Sequence, residues 1–347
     1  MRICFSEYVK YSLEFSFFLL ILAIISILFV PANKTLFINQ LALFFTGFLF
    51  LISIAMIYYF KPSYFYYQYI FDLFCSKTLF FNLDFSFGLD GIALLFLFLT
   101  NLLSFLCVIF IFNISFLNKK TLILNLLFVQ LCLFFIFSSL NLFVFYIFFE
   151  FLLVPMYFII GFWGSRSRKI RASYLLLYYT IASSILLLVA IFHIYVKIGT
   201  FSMEVLRFFS FDYDEIWLWF AFFLSFAAKA PLFPFHIWLP EAHVEAPTIG
   251  SVILAGILLK LGVFGFIRYN LCLFPNASMY FVPMIYLICI LGILYASLNA
   301  IRQTDLKRII AYSSIAHMNL VVMGIFCLDI IGINGAIIQS LSHGFVS

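Results

Sequence analysis

Apolar stretches of membrane-spanning length recur along this chain and constrain its fold more than any other feature. One of them, LALFFTGFLFLISIAMIYYF, occupies residues 41–60. A helix of about 20 apolar residues is long enough to cross the hydrocarbon core of a bilayer. Only 10% of the 347 residues are charged, whereas a soluble domain has roughly 25%. The sequence therefore predicts an all-α polytopic membrane protein, and it excludes soluble enzymes, disulfide-stapled secreted domains and nucleic-acid readers.

Eleven spans can be marked along the chain. They cover approximately residues 13–30, 41–60, 89–112, 122–137, 143–163, 174–196, 216–239, 248–267, 279–298, 308–327 and 330 onwards. The fourth and fifth spans form one apolar stretch that is too long for a single crossing, so we divide it near residues 138–141, where small and polar side chains occur. The last span is still apolar at Ser347, so we expect the chain to end within or just beyond a membrane helix.

The loops between these spans predict an orientation. Counted in alternate loops, one side has ten basic and three acidic residues, and the other has seven basic and nine acidic residues. Loops rich in lysine and arginine stay on the cytoplasmic side or its equivalent. We therefore expect the first side to face the cytoplasm or mitochondrial matrix, with the N-terminus on the opposite side.

Several ionisable side chains lie inside the predicted spans, where charge is costly and usually functional. Glu150, Lys229 and Lys260 each lie well within an apolar stretch. Three histidines join them near or inside later spans: His236, His317 and His343. Arg268 lies at a span end, and we interpret it as an ordinary interfacial anchor.

Structural roles for these residues remain open alternatives. Lys229 and Lys260 would have no role in proton transfer if their side chains reached the lipid headgroups. His317 and His343 would be ordinary as hydrogen-bonded contacts between helices. Glu150 would be ordinary as a static partner of Lys229 that moves no proton.

Two prolines predict a break in the seventh span. Pro231 and Pro234 follow Lys229 closely, and each removes an amide donor and clashes with the preceding turn. Backbone carbonyls freed at membrane depth are tolerated only inside protein or beside a wet cavity. A broken helix with an adjacent ionisable group is typical of ion pathways in transporters.

Together these residues favour proton handling. Burial disfavours the charged forms of glutamate and lysine, while their mutual attraction favours those forms. A buried Glu150–Lys229 pair is therefore balanced between its charged and its neutral protonation states. We expect the two side chains to approach each other inside the membrane. Lys260 could accept a proton through water, and His317 could pass it on near neutral pH.

The segments that contain these residues resemble a known family. FAAKAPLFPFHIWLPEAHVEAPTIGSVILAGILLKLGVFGFIRY is similar to the central signature of the subunit 4 family of respiratory NADH:ubiquinone oxidoreductase (complex I), one of its three antiporter-like membrane subunits. NAIRQTDLKRIIAYSSIAHMNLVVMGIF, GAIIQSLSHGF, FGLDGIALLFLFLTNLL and FEFLLVPMYFIIGFWG resemble other blocks of that family. The resemblance begins near Phe87 and continues to the end of the chain.

The resemblance implies a role and a site. The chain would be a proton-translocating, multi-pass subunit of an NADH:ubiquinone reductase in the mitochondrial inner membrane. Its proton path would run through Glu150, Lys229, Lys260 and His317, with His236 and His343 as secondary residues. It would carry no cofactor or metal, because FMN, iron–sulfur clusters and quinone belong to other subunits. Its partners would be the other membrane-arm subunits, including the two paralogous antiporter-like ones, and membrane lipid, but no nucleic acid.

The resemblance also implies an architecture of fourteen helices with two inverted five-helix repeats. On this basis residues 1–120 form an N-terminal three-helix segment, 121–268 the first repeat, and 269–347 an incomplete second repeat. A broken twelfth helix with the last charged residue of the path would follow in the family. We therefore expect a second chain, packed near residues 330–347, to supply about three further helices.

Two other functions remain open on the sequence. A sodium/proton antiporter subunit of the same fold would exchange ions without NADH oxidation. A truncated structural subunit would keep the fold and no longer pump.

Overall fold

The computed structural model describes residues 11–63, 67–73, 84–114 and 118–346. Several residues used in the sequence predictions lie outside these ranges, namely Arg2, Glu7, Lys10 and Lys77 of the charge count, and Ser347. The long helices are α1 Ser12–Phe29, α2 Thr35–Tyr59, α3 Gly91–Asn113, α4 Lys119–Ser138, α5 Leu142–Trp163, α6 Lys169–Ile198, α9 Thr248–Leu273, α10 Pro275–Arg302 and α11 Leu306–Ile325. The shorter helices are α7 Glu215–Lys229, α8 Trp238–Glu245 and α12 Ile330–Val346. A four-residue helix, Met203–Leu206, and a 3-10 turn, Asp212–Asp214, lie between α6 and α7.

The predicted helical membrane fold is confirmed. Within the described ranges, nine helices are long and apolar enough to cross a membrane. Two predicted spans take other forms: the seventh is divided into α7 and α8, and the last is the shorter apolar helix α12. The number of spans that cross the bilayer stays a prediction.

The contacts divide the chain into two compact units. Unit 1 contains Met1–Ile159 and Phe201–Met203, and unit 2 contains Ile160–Thr200 and Glu204–Ser347. The repeat boundaries predicted at residues 120 and 268 stay a prediction.

Unit 1 contains a short hairpin that the apolar pattern did not predict. Strand β1 (Gln68–Asp72) pairs antiparallel with strand β2 (Ser86–Leu89), and Phe71 lies opposite Phe87. The rings of these two phenylalanines stack at 5.1 Å. Each strand has only four or five residues, which is too short for a clear alternating pattern.

Asn141 starts α5 at the predicted division between the fourth and fifth spans. Its side-chain oxygen accepts hydrogen bonds from the backbone N–H groups of Phe143 and Val144, at 2.9 and 3.3 Å. These amides have no partner within the helix, and an asparagine cap satisfies them. The amide of Leu142 donates instead to the carbonyl of Phe201 at 3.0 Å.

Unit 2 is built on α6, α7 and α9 and positions most of the predicted site. The ring of Trp219 in α7 stacks on Phe223 at 4.8 Å and on Phe281 of α10 at 4.5 Å. Its indole N–H donates to the hydroxyl of Ser278 at 3.0 Å. The aromatic ring thus packs in the interior while its one polar atom is satisfied, as buried tryptophan requires.

Candidate functional site

Helix α7 ends at Lys229, and the chain remains non-helical until α8 begins at Trp238. Pro231, which is buried, and Pro234, which is exposed, lie in this interval. Neither proline can donate an amide proton to the helix, so the last carbonyls of α7 need other donors. The indole N–H of Trp238 donates to the carbonyl of Ala228 at 2.9 Å. A side chain of α8 therefore supplies a hydrogen-bond donor to a carbonyl at the end of α7.

Helix α9 approaches the end of α7 at two glycines. A methyl group built on Gly262 would lie 2.6 Å from the Cβ of Ala230 and 2.7 Å from the backbone oxygen of Phe226. One built on Gly265 would lie 2.5 Å from the ring of Phe226. Glycine at both positions allows the two backbones to come this close. The residue after Lys229 thus touches the helix that carries the second buried lysine.

Lys260 is fully buried in α9. It lies in a short α-helical stretch between two π-helical segments, Leu254–Leu258 and Phe266–Asn270. Such π segments often occur at functional sites. The Lys260 ammonium donates to the carbonyl of Ala255 and lies 2.9 Å from Nδ1 of His343.

His343 connects Lys260 to another predicted residue. It is only 6% exposed, and its ring centroid lies 5.9 Å from that of His317. His317 itself is on the surface of unit 2. The sequence analysis treated His343 as a secondary residue, and 83 residues separate it from Lys260 in the chain. The fold instead makes it the direct neighbour of the lysine.

His236 has a different environment. Its ring packs against Phe233 at 5.7 Å and Tyr295 at 5.1 Å, and the residue is 4% exposed. Within the described residues its Nδ1 has no hydrogen-bond partner.

The sequence analysis did not single out His243 in α8. This histidine is 4% exposed, and its Nε2 finds no hydrogen-bond partner in the described part of the chain. The charges of Lys307 and Lys260 both act on it. Its position in the quoted motif HIWLPEAHVEAP, seven residues after His236, was the available signal.

Glu150 lies in the unit 1 part of α5 and is half-buried, whereas Lys229 is 1% exposed in unit 2. Their predicted approach stays a prediction.

The interpretation of Arg268 as an interfacial anchor is wrong. The residue is only 3% exposed, and its guanidinium carbon lies 5.2 Å from the centre of the Phe264 ring. Arg268 belongs to the second π-helical segment of α9, which packs against α7. The span therefore continues beyond the point where hydropathy placed its end.

Charged loops and helix ends meet at one end of unit 2. A guanidinium nitrogen of Arg166 lies 3.0 Å from a carboxylate oxygen of Asp305, and one of Arg308 lies 3.5 Å from a carboxylate oxygen of Glu241. Lys307 donates to the carbonyl of Ala246 at 2.9 Å. The hydrogen bond and charge of Arg166 hold the pKa of Asp305 below its ordinary value. All four charged residues of these two pairs come from loops that the sequence assigned to one side.

A second group of charges involves residues assigned to the opposite side. Asp214 forms ion pairs with Lys197 and with His193, the latter at 3.1 Å. The carboxylate of Glu215 accepts the backbone N–H of Ala277 at 2.9 Å, near the start of α10. This carboxylate satisfies one of the amides that a helix start leaves without a partner.

Comparison with known proteins identifies the family. The model of the NADH:quinone oxidoreductase/Mrp antiporter transmembrane family matches residues 139–347, which include every predicted site residue. The chain belongs to this family. The match supports the predicted resemblance.

Several relatives of this chain within the family share one name. The chain is 45% identical to "NADH-ubiquinone oxidoreductase chain 4" of Chondrus crispus over 94% of its length and 66% of the relative's. It is also 45% identical to the protein of that name from Prototheca wickerhamii, over all of this chain and 71% of the relative. The chain thus spans about two thirds of the length of these relatives. Its resemblance to the chain 4 proteins is confirmed.

A solved structure has the same fold as this chain. A chain of respiratory complex I from Thermus thermophilus superposes with a TM-score of 0.82 at 26% identity, covering 97% of this chain and 69% of that one. An archaeal membrane-bound sulfane sulfur reductase gives a TM-score of 0.81 at 20% identity, which supports the fold alone.

Proposed function

We propose that this chain is a proton-translocating subunit of the membrane arm of an NADH:ubiquinone oxidoreductase. The names of its relatives favour this complex over a sodium/proton antiporter, which shares the family. In this proposal the chain contributes to an NADH:ubiquinone reductase whose FMN, iron–sulfur clusters and quinone are held by other subunits. Quinone reduction in those subunits drives proton translocation through this chain.

The contact between Lys260 and His343 is the observation that carries the proposal. An ammonium and an imidazole at 2.9 Å form a hydrogen bond along which a proton can move. The site is buried, so neither group is satisfied by bulk water. Ionisable groups are retained inside a membrane protein mainly where they serve ion pathways.

A proton relay follows from the two nitrogens of the ring. When Lys260 is charged, Nδ1 of His343 accepts its hydrogen bond, so the ring proton resides on Nε2. Transfer of the lysine proton to Nδ1 then allows Nε2 to release its own proton. The ring of His317, with its centroid 5.9 Å away, could take it up through a short rotation or a water.

The broken helix supplies a second charge that can drive this transfer. Lys229 ends α7, and the next residue packs against Gly262, two residues after Lys260. A positive charge on one buried lysine disfavours charge on the other. We propose that Glu150 holds the Lys229 charge in one state, and that release of Lys229 from Glu150 drives the Lys260 proton to His343.

We propose a location and orientation on the same basis. The chain would lie in the mitochondrial inner membrane with its N-terminus toward the intermembrane space, since the loops that contain Arg166, Asp305 and Arg308 would then face the matrix. Its neighbours would be the other membrane-arm subunits, including its paralogues.

Further helices should pack against α11 and α12. His317 is exposed in a helix that is apolar enough to cross the membrane, where contact of its polar ring with lipid would be costly. We propose that a partner segment covers it, and that this segment is broken and carries a Lys or Glu at membrane depth. A photo-crosslinker at Leu320, which is 46% exposed on α11, should capture such a segment. Capture of lipid only would contradict this part of the proposal.

Two substitutions test the relay in the assembled complex. Lys260→Gln and His343→Gln should each sharply reduce the protons moved per NADH oxidised, measured with a pH-sensitive dye in closed vesicles. Because both residues act on one proton, the double variant should be little worse than either single variant. Lys119→Gln and His193→Gln are matched controls outside the site and should pump normally.

Three results would separate the alternatives. Normal pumping in both site variants would refute the relay. Failure of the complex to assemble in both would favour a packing role. Sodium/proton exchange by the isolated chain without NADH would favour the antiporter function.

A further inference from the structure

An apolar groove on unit 2 lies apart from the lysine–histidine site. It has a volume of about 430 Å³ and runs between α6, α7 and the segment that joins α7 to α8. Its walls include Tyr178, Ala182 and Leu186 of α6, together with Leu224 and Phe235. The groove opens onto the surface of a helix bundle that lies in a membrane.

The α6 wall of this groove is continuous with a basic end of the helix. Arg171, Tyr174, Tyr178, Ala182 and Leu186 follow one another at spacings of three or four residues, so they share one face. The rings of Tyr174 and Tyr178 stack at 5.9 Å, and aromatic residues of this kind prefer the headgroup level. At 1.5 Å per residue, the last two residues lie roughly 16 and 22 Å from Arg171 along the helix. That is the depth of lipid acyl chains.

Two arginines at this basic end differ from their neighbours. The Arg166 guanidinium is paired with Asp305, and the Lys169 ammonium donates to the carbonyl of Phe162. The side chains of Arg168 and Arg171 have no hydrogen-bond or ion-pair partner among the residues that the structure describes, and both residues are exposed. Two exposed positive charges therefore lie at the N-terminal end of α6, the helix whose residues 178–186 line the groove.

We propose that this groove binds one anionic phospholipid, with its phosphate on Arg168 and Arg171 and an acyl chain between α6 and α7. Arginine pairs with phosphate through two parallel N–H donors, and basic pockets beside membrane helices attract anionic headgroups. The groove supplies the apolar contacts, and the arginines supply the selectivity for negative charge. The acyl chain contacts Phe235, which lies in the break after Lys229. This inference rests on the position of the chain in a membrane and not on proton transfer.

The test uses the assembled complex and counts the phospholipid that it retains. Ala182→Trp fills the groove and should abolish retention of one phosphatidylglycerol per complex, measured by native mass spectrometry after partial delipidation. Ile185→Trp adds the same side chain at an exposed position that does not line the groove, and should retain the lipid. The double variant Arg168→Gln/Arg171→Gln should weaken binding about 25-fold, roughly fivefold for each arginine. Arg302→Gln removes one exposed charge elsewhere and should have no effect.

A photo-crosslinker at Tyr178 identifies the occupant directly. Capture of phosphatidylglycerol, together with the variant results above, would support the site. Capture of a protein helix would overturn it, as would equal retention by Ala182→Trp and Ile185→Trp. Binding of phosphatidylcholine as tightly as phosphatidylglycerol would overturn the role of the two arginines.

Discussion

Replacing Gly262 with alanine should loosen the contact between α9 and the end of α7. The added methyl group would lie 2.6 Å from the Cβ of Ala230, 2.7 Å from its backbone nitrogen and 2.7 Å from the backbone oxygen of Phe226. An ordinary contact at this position begins at 3.4 Å, so the separation has to grow by about 0.8 Å. Two of the three atoms belong to the backbone, so a change of side-chain rotamer cannot relieve them.

The expected loss of stability follows from two opposing effects. Overpacking of a well-packed interior costs typically 1–3 kcal/mol, and contact with backbone atoms favours the upper half of that range. Alanine returns up to about 1 kcal/mol through its better helix propensity. The net destabilisation of Gly262→Ala should therefore be about 1–2 kcal/mol, which lowers the apparent melting temperature by a few degrees.

The measurement heats the detergent-solubilised complex and follows how much of this chain stays in the assembled form. Gly161→Ala in α5 is the matched control, because its added methyl would lie 3.7 Å from the hydroxyl of Ser173, an ordinary contact distance. The control should be neutral or slightly stabilising. If Gly262→Ala were as stable as Gly161→Ala, the close approach of the two helices would be refuted.

Three further predictions concern single contacts. Trp238→Phe leaves an α7 carbonyl without its donor, so it should cost about 1–3 kcal/mol in the same heating assay, whereas Trp217→Phe, at a partly exposed position, should cost less. Asp305→Asn removes the ion pair with Arg166. Because the pKa of Asp305 is lowered in the folded state, the contribution of this pair to stability should be present near neutral pH and fade as the pH falls below about 4. Added salt should weaken that contribution at every pH. Lys120→Met removes two hydrogen bonds of 2.8 Å to carbonyls at the end of α1, so protease cleavage after α1 should become faster, while the same change in the preceding lysine should leave it unchanged.

Much of the fold was predictable because hydropathy acts locally. The long apolar stretches predicted helices, and the division near Asn141 was visible because one stretch is too long for a single crossing and contains small, polar residues there. In the structure Asn141 caps the helix start with its own side chain. The break after Lys229 was visible because proline cannot donate an amide proton. The hairpin of β1 and β2 was not visible, since its short strands depend on pairing with each other.

Candidate site residues could be named from the sequence by type and not by pairing. Ionisable residues in apolar stretches pointed to Lys260 and His343 separately, because burial of either is costly anywhere in a membrane. No local pattern showed that they touch. Arg268 was misjudged for a related reason: hydropathy places a span end by composition, whereas the packing of α9 against α7 extends burial beyond it.

The amino-acid sequence by itself determined that this chain is a helical membrane protein, where α7 breaks and which ionisable side chains lie within apolar stretches. These properties depend on the free energy of each residue in hydrocarbon and on backbone chemistry, which are local. Only the tertiary structure decided that His343 is the partner of Lys260, that Gly262 brings α9 against the end of α7, and that an apolar groove forms between α6 and α7. Each of these features depends on contacts between residues that are far apart in the chain or on adjacent helices. The hydropathy of a segment does not indicate which other helices will pack against it.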